Sequence, residues 1–385
     1  MNNLSSVDSS CILVVQRRMT HYRVPFFNAL RDVLSKRGLR LVVAYGVGAA
    51  SEANKSDSGE LDWGVRLDTR YFLGERICWQ PFGDVALGAG LVVIALENKL
   101  IYNLSEQFSR RGRKVALWGH GANLQGDPCS FRERFKRVVA RRADWWFGYT
   151  EMSRPLIERS GFPRERVTIL NNSVDTTALR TDVDAVSNED VEIFRREHGL
   201  GGSNVGLYLG SLYAEKRIDF LLSASERIKQ QVADFELVVV GGGEDRALVE
   251  AFCERHAWAR YLGPLSGHRK AVALRASRIL LNPGLVGLGI LDSFVAGVPM
   301  VTTDCGLHSP EIAYLKSGEN GLMTEDSERA FVDAVSGLLR QPEQIDALRD
   351  GCVRSAALYT VESMAANFAD GVERCLEQPV HRWRK

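Results

Sequence analysis

The chain has 385 residues, 45% apolar, 25% charged and 9% aromatic, with a net charge of only +1. That composition excludes a disordered, collagen-like or disulfide-dense chain, and the length suggests two domains. The charge is uneven: residues 1–180 carry 27 Lys and Arg against 18 Asp and Glu (+9), the remainder 22 against 30 (−8), so each half is expected to meet different partners.

The opening stretch MNNLSSVDSSCILVVQRR has an apolar run too short and too late for a signal peptide. Along the first half, the runs CILVVQ (11–16), LRLVVAYG (39–46), LVVIAL (91–96), KVALWGHG (114–121) and DWWFGYT (144–150) read as buried parallel strands. The helical stretch VPFFNALRDVLSKRG lies between the first two, with Pro25 at its start and Gly38 just past its end. The uncharged, strongly apolar run 85–96 has 12 residues. A membrane span needs about 20, so this run is expected in the core and any membrane contact is expected to be peripheral.

Residues 101–142 concentrate ten basic side chains against Glu106, Asp127 and Glu133, or +7. In FRERFKRVVARR, Phe131, Phe135 and Val138 recur at helical spacing. An ordinary amphipathic helix packed on the sheet explains the pattern, and so does contact with anionic lipid or a lipid-linked diphosphate acceptor. No recognition motif or aromatic platform points to nucleic acid.

The second half repeats the scheme, with strands expected at NVGLYLGS (204–211), FELVVVGGG (235–243), RYLG (260–263), RILLNPG (278–284) and PMVTTD (299–304). Strand–helix–strand patterns repeated in both halves predict two doubly wound α/β domains. The boundary is expected within RTDVDAVSNEDVE, giving domains of 1–182 and 183–361. A C-terminal helix at about 362–385 is expected to pack back on the first domain. Such sheets bind ligands beyond the carboxyl ends of their strands, so two facing domains are expected to hold a ligand in a central cleft. The seven cysteines are scattered, odd in number and without a CxxC pair. Reduced thiols in a cytoplasmic protein are expected, with neither disulfides nor a metal site.

Three glycine features carry chemistry. In LYLGSLYAEKRIDFLL a strand ends near Gly210, and Lys216 and Arg217 stand at a helix start, where amides and cations make an anion site. A solvated Lys-Arg pair on a helix surface is the plainer reading. In LLNPGLVGLGILDSFVAGVPMVTTD, Gly284, Gly287 and Gly289 precede a short helix that carries Asp292 and ends at Gly297. Such a loop lets a ligand approach the backbone closely, or it serves packing alone. The third run, VVVGGGEDRALVEAF, lacks the last glycine of G-x-G-x-x-G because Arg246 stands there. It is expected to be a strand-to-helix turn with Glu244 and Asp245 near the helix start.

With GSLYAEKR, VVVGGGED, NPGLVGLGILDSFVAGVPMVTTD and SPEIAYLKSGENGLM in this order, the chain resembles the retaining glycosyltransferases of the GT-B fold. More narrowly, it is similar to the glycosyl transferases group 1 family (family four). HYRVPFFNAL, LWGHGAN, ADWWFGYTE and ILNNSVD extend the resemblance to that family's N-terminal domain.

The resemblance implies two Rossmann-like domains, a nucleotide-sugar donor (UDP- or GDP-sugar), retention at the anomeric carbon, and no metal or other cofactor. In the family pattern G-R-L-x-x-x-K-G the Arg and Lys hold the donor diphosphate. Gly210 and Lys216 match, Ser211 replaces the Arg, and Arg217 replaces the final Gly. The family's second glutamate, which binds the ribose, corresponds to Asp292, and counting back puts the first at Gly284, so backbone amides near Gly287 and Leu288 are expected to meet the sugar. His120, between two glycines after a strand, matches a histidine placed beside the transferred sugar; taken alone it reads equally as structural.

His21 and Arg23 follow the first strand and are acceptor-side candidates, or simply an apolar helix start. The acceptor is expected to be a glycan or a lipid-linked molecule of bacterial surface-polysaccharide assembly, with an anionic membrane surface on the inner face as a further partner. Alternatives are a non-catalytic nucleotide-sugar-binding or partner protein, and a nucleotide-sugar epimerase or hydrolase. No pair of carboxylates is placed as a glycoside hydrolase needs.

Overall fold

The computed structural model describes residues 8–52, 57–97, 99–109, 112–121 and 131–381. It divides into two units, 1–175 with 361–385 and 176–360. The first holds strands β1 (Asp8–Gln16), β2 (Arg40–Tyr45), β3 (Val65–Arg66), a hairpin of β4 (Arg70–Phe72) and β5 (Ile77–Trp79), β6 (Ala89–Ala95), β7 (Lys114–Gly119), β8 (Trp145–Gly148) and β9 (Val167–Ile169). Apart from the hairpin they form one parallel sheet of order β3-β2-β1-β6-β7-β8-β9. The second unit holds β10 (Asn204–Leu209), β11 (Phe235–Val240), β12 (Ala259–Tyr261), β13 (Ile279–Leu281), β14 (Met300–Thr303) and β15 (Gly321–Thr324), all parallel in the order β12-β11-β10-β13-β14-β15. Both orders reverse beside the first strand of the unit, the switch point at which such sheets place ligands.

The expected strands form where long β-branched runs are buried: Ile12–Val15, Leu91–Ile94 and Phe235–Val240 are almost fully buried. The edge strands β3, β9 and β15 were not anticipated. They are two to four residues long and partly exposed, so they lack the apolar run that marks a central strand.

Helices cover the sheets. In chain order they are α1 (Val24–Lys36), α2 (Ile101–Ser109), α3 (Phe131–Arg141), α4 (Ser153–Arg159), α5 (Thr177–Ala185), α6 (Asn188–Glu197), α7 (Ile218–Gln231), α8 (Arg246–Arg255), α9 (Gly267–Arg275), α10 (Ile290–Ala296), α11 (Glu328–Leu339), α12 (Pro342–Leu358) and α13 (Val361–Glu377). Pro25 sits in the first turn of α1 and Gly38 follows it with φ 73°. The change of unit falls between Asp175 and Thr176 because α5 packs on α9 and α10 of the second unit.

The chain returns to the first unit at α13, which lies on α1. Phe368 stacks on Phe147 of β8 at 4.2 Å between ring centroids, and Gly371 leaves room for that ring and for Thr168. Phe368 is fully buried, so trimming it to alanine would cost about 3–5 kcal/mol.

No helix among the described residues is long and apolar enough to cross a membrane, and the uncharged run 85–96 supplies the buried strand β6. Cys11, Cys78, Cys253, Cys305, Cys352 and Cys375 are free thiols; Cys129 lies outside the described residues. So do Arg110, Arg111 and Asp127 of the basic segment, together with the side chains of Phe131, Arg132, Glu133 and Lys136.

Candidate functional site

The site of the second unit begins where β10 ends. The Tyr208 hydroxyl donates to the Ser211 carbonyl at 2.7 Å and fixes the turn. Gly210 and Leu212 then donate to the carbonyls of Val240 and Gly242. A side chain at Gly241 or Gly243 would collide with the carbonyls of Gly210 and Leu212. The third glycine run is therefore a place of close backbone approach at a strand-to-helix turn, with Asp245 just before α8.

The chain next makes a 3-10 turn, Ala214–Lys216, and Arg217 adopts a left-handed conformation (φ 56°, ψ 51°) at the start of α7. That twist separates two neighbouring cations. Lys216 turns inward and donates to the Leu285 carbonyl, with no carboxylate paired to it among the described residues. Burial pushes its pKa down to about 8, since removing an ammonium from water disfavours the charged form. Arg217 instead pairs with Asp326, donates to Thr303 Oγ1 at 3.3 Å and lies over the Phe220 ring.

The glycine loop faces Lys216. Gly284 is packed against backbone: a Cβ there would collide with the main chain of Glu215 and Lys216, and the next amide, Leu285, donates to the Glu215 carbonyl at 2.8 Å. Its glycine is required for the loop and the lysine turn to touch. The Val286 amide donates to His308 Nδ1 at 3.1 Å, while His308 Nε2 lies 2.7 Å from the Thr303 carbonyl. An accepting Nδ1 and a donating Nε2 make a neutral imidazole, and burial lowers its pKa accordingly. His308, missed by sequence reasoning, thus anchors the loop.

Gly210, Ser211, Lys216, Gly287, Leu288, Gly289 and Asp292 line a single cavity of about 560 Å³. Pockets for small-molecule ligands typically measure about 300–1,000 Å³. Asp292 projects from the first turn of α10, which ends at Gly297 in a left-handed cap (φ 64°). Its carboxylate is 2.9 Å from the ammonium of Lys270 on α9, which also lines the cavity. Nothing in GHRKAVALR distinguishes Lys270 from its basic neighbours; only the packing of α9 beside α10 does.

In the first unit the strand ends gather a different chemistry. Arg23, just before α1, donates to Asn172 Oδ1 at 2.7 Å. Its guanidinium lies 5.5, 5.6 and 5.8 Å from the rings of Tyr22, Trp118 and Tyr149. His120, exposed after β7, meets the Tyr149 ring edge-on at 4.4 Å. Arg23 and His120 are thereby joined through Tyr149. His21 is exposed and touches only the edge of Tyr22 among these rings, at 5.7 Å. Tyr149 and Asn172 were not singled out, although they lie in the stretches ADWWFGYTE and ILNNSVD.

The profile of the family described as "Glycosyl transferases group 1" matches residues 203–341. The D-inositol 3-phosphate glycosyltransferase of Nocardia farcinica is 24% identical over 277 residues, 66% of this chain and 59% of that protein. The matches span about half the length of the curated relatives. Among solved structures, Anabaena Alr3699/HepE in complex with UDP and glucose aligns with a TM-score of 0.64 at 14% identity, over 94% of this chain and 99% of that one. WaaG, a glycosyltransferase involved in lipopolysaccharide biosynthesis, aligns with a TM-score of 0.60 at 15% identity, over 93% and 98%. The fold is GT-B: two Rossmann-like domains with parallel sheets.

Proposed function

We propose that the protein is a retaining, metal-independent glycosyltransferase that uses a nucleotide-sugar donor in bacterial surface-polysaccharide assembly. The observation that carries this reading is the cavity of the second unit, lined by the half-buried Lys216, which has no carboxylate partner among the described residues, by the loop Gly287–Gly289 and by Asp292. A buried ammonium with no counter-charge suits an anionic ligand, and bare glycine backbone suits close approach of phosphate. The named nucleotide complexes of fold relatives, and the glycosyltransferase names of sequence relatives, support the same assignment.

In this reading Lys216 holds the donor diphosphate and Asp292 accepts hydrogen bonds from the ribose. Arg217 is committed to Asp326 and is not assigned to the phosphates. As the bond between anomeric carbon and diphosphate oxygen breaks, Lys216 stabilises the charge left on the nucleoside diphosphate. The acceptor hydroxyl forms the new bond to the anomeric carbon, and its proton passes to the departing phosphate. Amides of Gly287 and Leu288 face the sugar. His120 and Arg23, linked through Tyr149, supply the acceptor-side groups of the first unit, with His21 at its margin.

The acceptor is a glycan or lipid-linked molecule at an anionic membrane surface. That part of the reading is favoured by α3, where Phe135 and Val138 are 42% and 47% exposed beside the exposed Arg134. Apolar groups left in water among arginines fit a bilayer interface.

A thermal-shift screen of nucleotides and nucleotide sugars tests the donor assignment, because only ligands of the folded state raise the melting temperature. UDP- or GDP-sugars should raise it, and the active donor should release free nucleoside diphosphate when acceptor is added. A screen in which no nucleotide sugar raises it would refute the reading. Binding without transfer to any glycan or lipid-linked acceptor would leave a non-catalytic binding protein.

A further inference from the structure

We propose that Lys270 and Asp292 act as one hydrogen-bonding unit that reads the vicinal hydroxyls of a ribose, which makes Lys270 a specificity-determining residue of the nucleotide site. The inference rests on the donor assignment above. Lys270 comes from α9 and Asp292 from α10, and both reach the wall of the same cavity. Their side chains are 24% and 25% exposed, with Nζ 2.9 Å from Oδ2. No other group among the described residues holds Asp292 Oδ1.

Hydrogen-bond inventory gives the pair its meaning. An ionised carboxylate only accepts and an ammonium only donates, whereas each hydroxyl of a diol both donates and accepts. A lone carboxylate would take the hydroxyl protons and leave both hydroxyl oxygens without donors. Here Lys270 occupies one carboxylate oxygen and keeps two of its three protons for the ligand. Asp292 Oδ1 then takes a proton from one hydroxyl, and the ammonium donates to the oxygen of its neighbour. The combination also disfavours a phosphate at this end, because Asp292 repels it, and leaves the diphosphate to Lys216. The pair pre-positions a carboxylate that would otherwise sample several rotamers, so the recognition geometry exists before the ligand arrives.

The test compares ribonucleotides with their deoxy analogues by titration calorimetry on the full chain. The probes are whichever of UDP and GDP binds more tightly, with its 2′-deoxy and 3′-deoxy counterparts. Lys270→Met keeps length and removes the charge; Lys270→Arg keeps the charge. We expect the unaltered protein to prefer the ribonucleotide by at least about tenfold over one of the deoxy forms, as expected where a partly buried partner is left unpaired. In Lys270→Met that preference should collapse to less than about threefold, while Lys270→Arg should retain most of it. An unchanged preference in Lys270→Met, or equal weakening of ribo and deoxy forms, would overturn the role of the pair while leaving the donor assignment in place. Absence of nucleotide binding by the unaltered protein would overturn both.

Discussion

The two units share a strand order and differ at the strand ends that could bind a ligand. The second unit lines its cavity with glycines and half-buries Lys216, which has no carboxylate partner among the described residues. The first sets an arginine among three aromatic rings and leaves a histidine exposed beside one of them. Glycine with a desolvated cation suits a compact anion of fixed shape. A guanidinium over aromatic faces suits a larger, uncharged ligand that stacks and accepts hydrogen bonds. The same sheet topology thus supports two recognition chemistries, decided by few residues in the loops.

The comparison breaks most sharply at Lys216. In the proposed mechanism Lys216→Ala removes the cation that meets the charge developing on the leaving diphosphate, so turnover should fall about a hundredfold to a thousandfold. The fold should survive, since the lysine spans no ion pair. Steady-state rates with circular dichroism as a control decide it, and turnover like the unaltered protein would remove Lys216 from the mechanism. Arg23→Ala, by contrast, should spare nucleotide affinity if the two chemistries serve different ligands.

The exposed face of α3 gives the next largest effect. Basic residues near an anionic bilayer gain about 1 kcal/mol each. Reversing both Arg134 on α3 and the exposed Arg142 just past its end to Glu should therefore weaken binding to anionic liposomes by at least about thirtyfold. Nucleotide affinity should not move, because the substitutions lie in the other unit. Sedimentation with phosphatidylglycerol vesicles reads this directly. Unaltered protein that stays in the supernatant would leave α3 an ordinary amphipathic helix.

Asp292→Asn keeps the size and loses the charge that pairs with Lys270. Nucleoside diphosphate affinity should drop by about tenfold, the difference between a charged and a neutral acceptor at a partly buried site. Equal UDP and GDP affinities before and after the change would place the ribose elsewhere.

These tests fall on residues of unequal visibility in the sequence. Lys216, Asp292 and Gly287–Gly289 were legible because a strand, a glycine loop and a short capped helix mark the carboxyl end of a sheet. Arg217 was misleading, since adjacency to Lys216 suggested a shared role. Its left-handed backbone sends the side chain to Asp326, and no local pattern announces that twist at a non-glycine residue. Gly284 followed from counting along the chain, whereas its requirement is a tertiary contact with Glu215 and Lys216. Lys270 and His308 were invisible for the same reason: each acts on a partner 22 residues away on another element. The edge strands carry too little apolar sequence to show.

The smallest predicted effect is the pH dependence that burial imposes on Lys216. Its pKa is about 8, against 10.5 for an ordinary lysine. Between those values the unfolded chain binds more protons than the folded one, so the contribution of Lys216 to stability rises with pH across that window. On the proposed assignment diphosphate binding runs the opposite way, because it requires the ammonium. From about pH 7 to about pH 9, nucleoside diphosphate affinity should fall severalfold, because the bound anion raises the lysine pKa and the complex keeps a proton that the free protein loses. The fall stays below the limiting tenfold per pH unit because this window straddles the free pKa of about 8. Lys216→Arg should stay charged and remove the slope while keeping most of the affinity. Lys216→Met should also remove the slope, at lower affinity throughout. Titrations at both pH values decide the matter: a flat profile in the unaltered protein, or the same slope in Lys216→Met, would show that the buried ammonium does not hold the diphosphate.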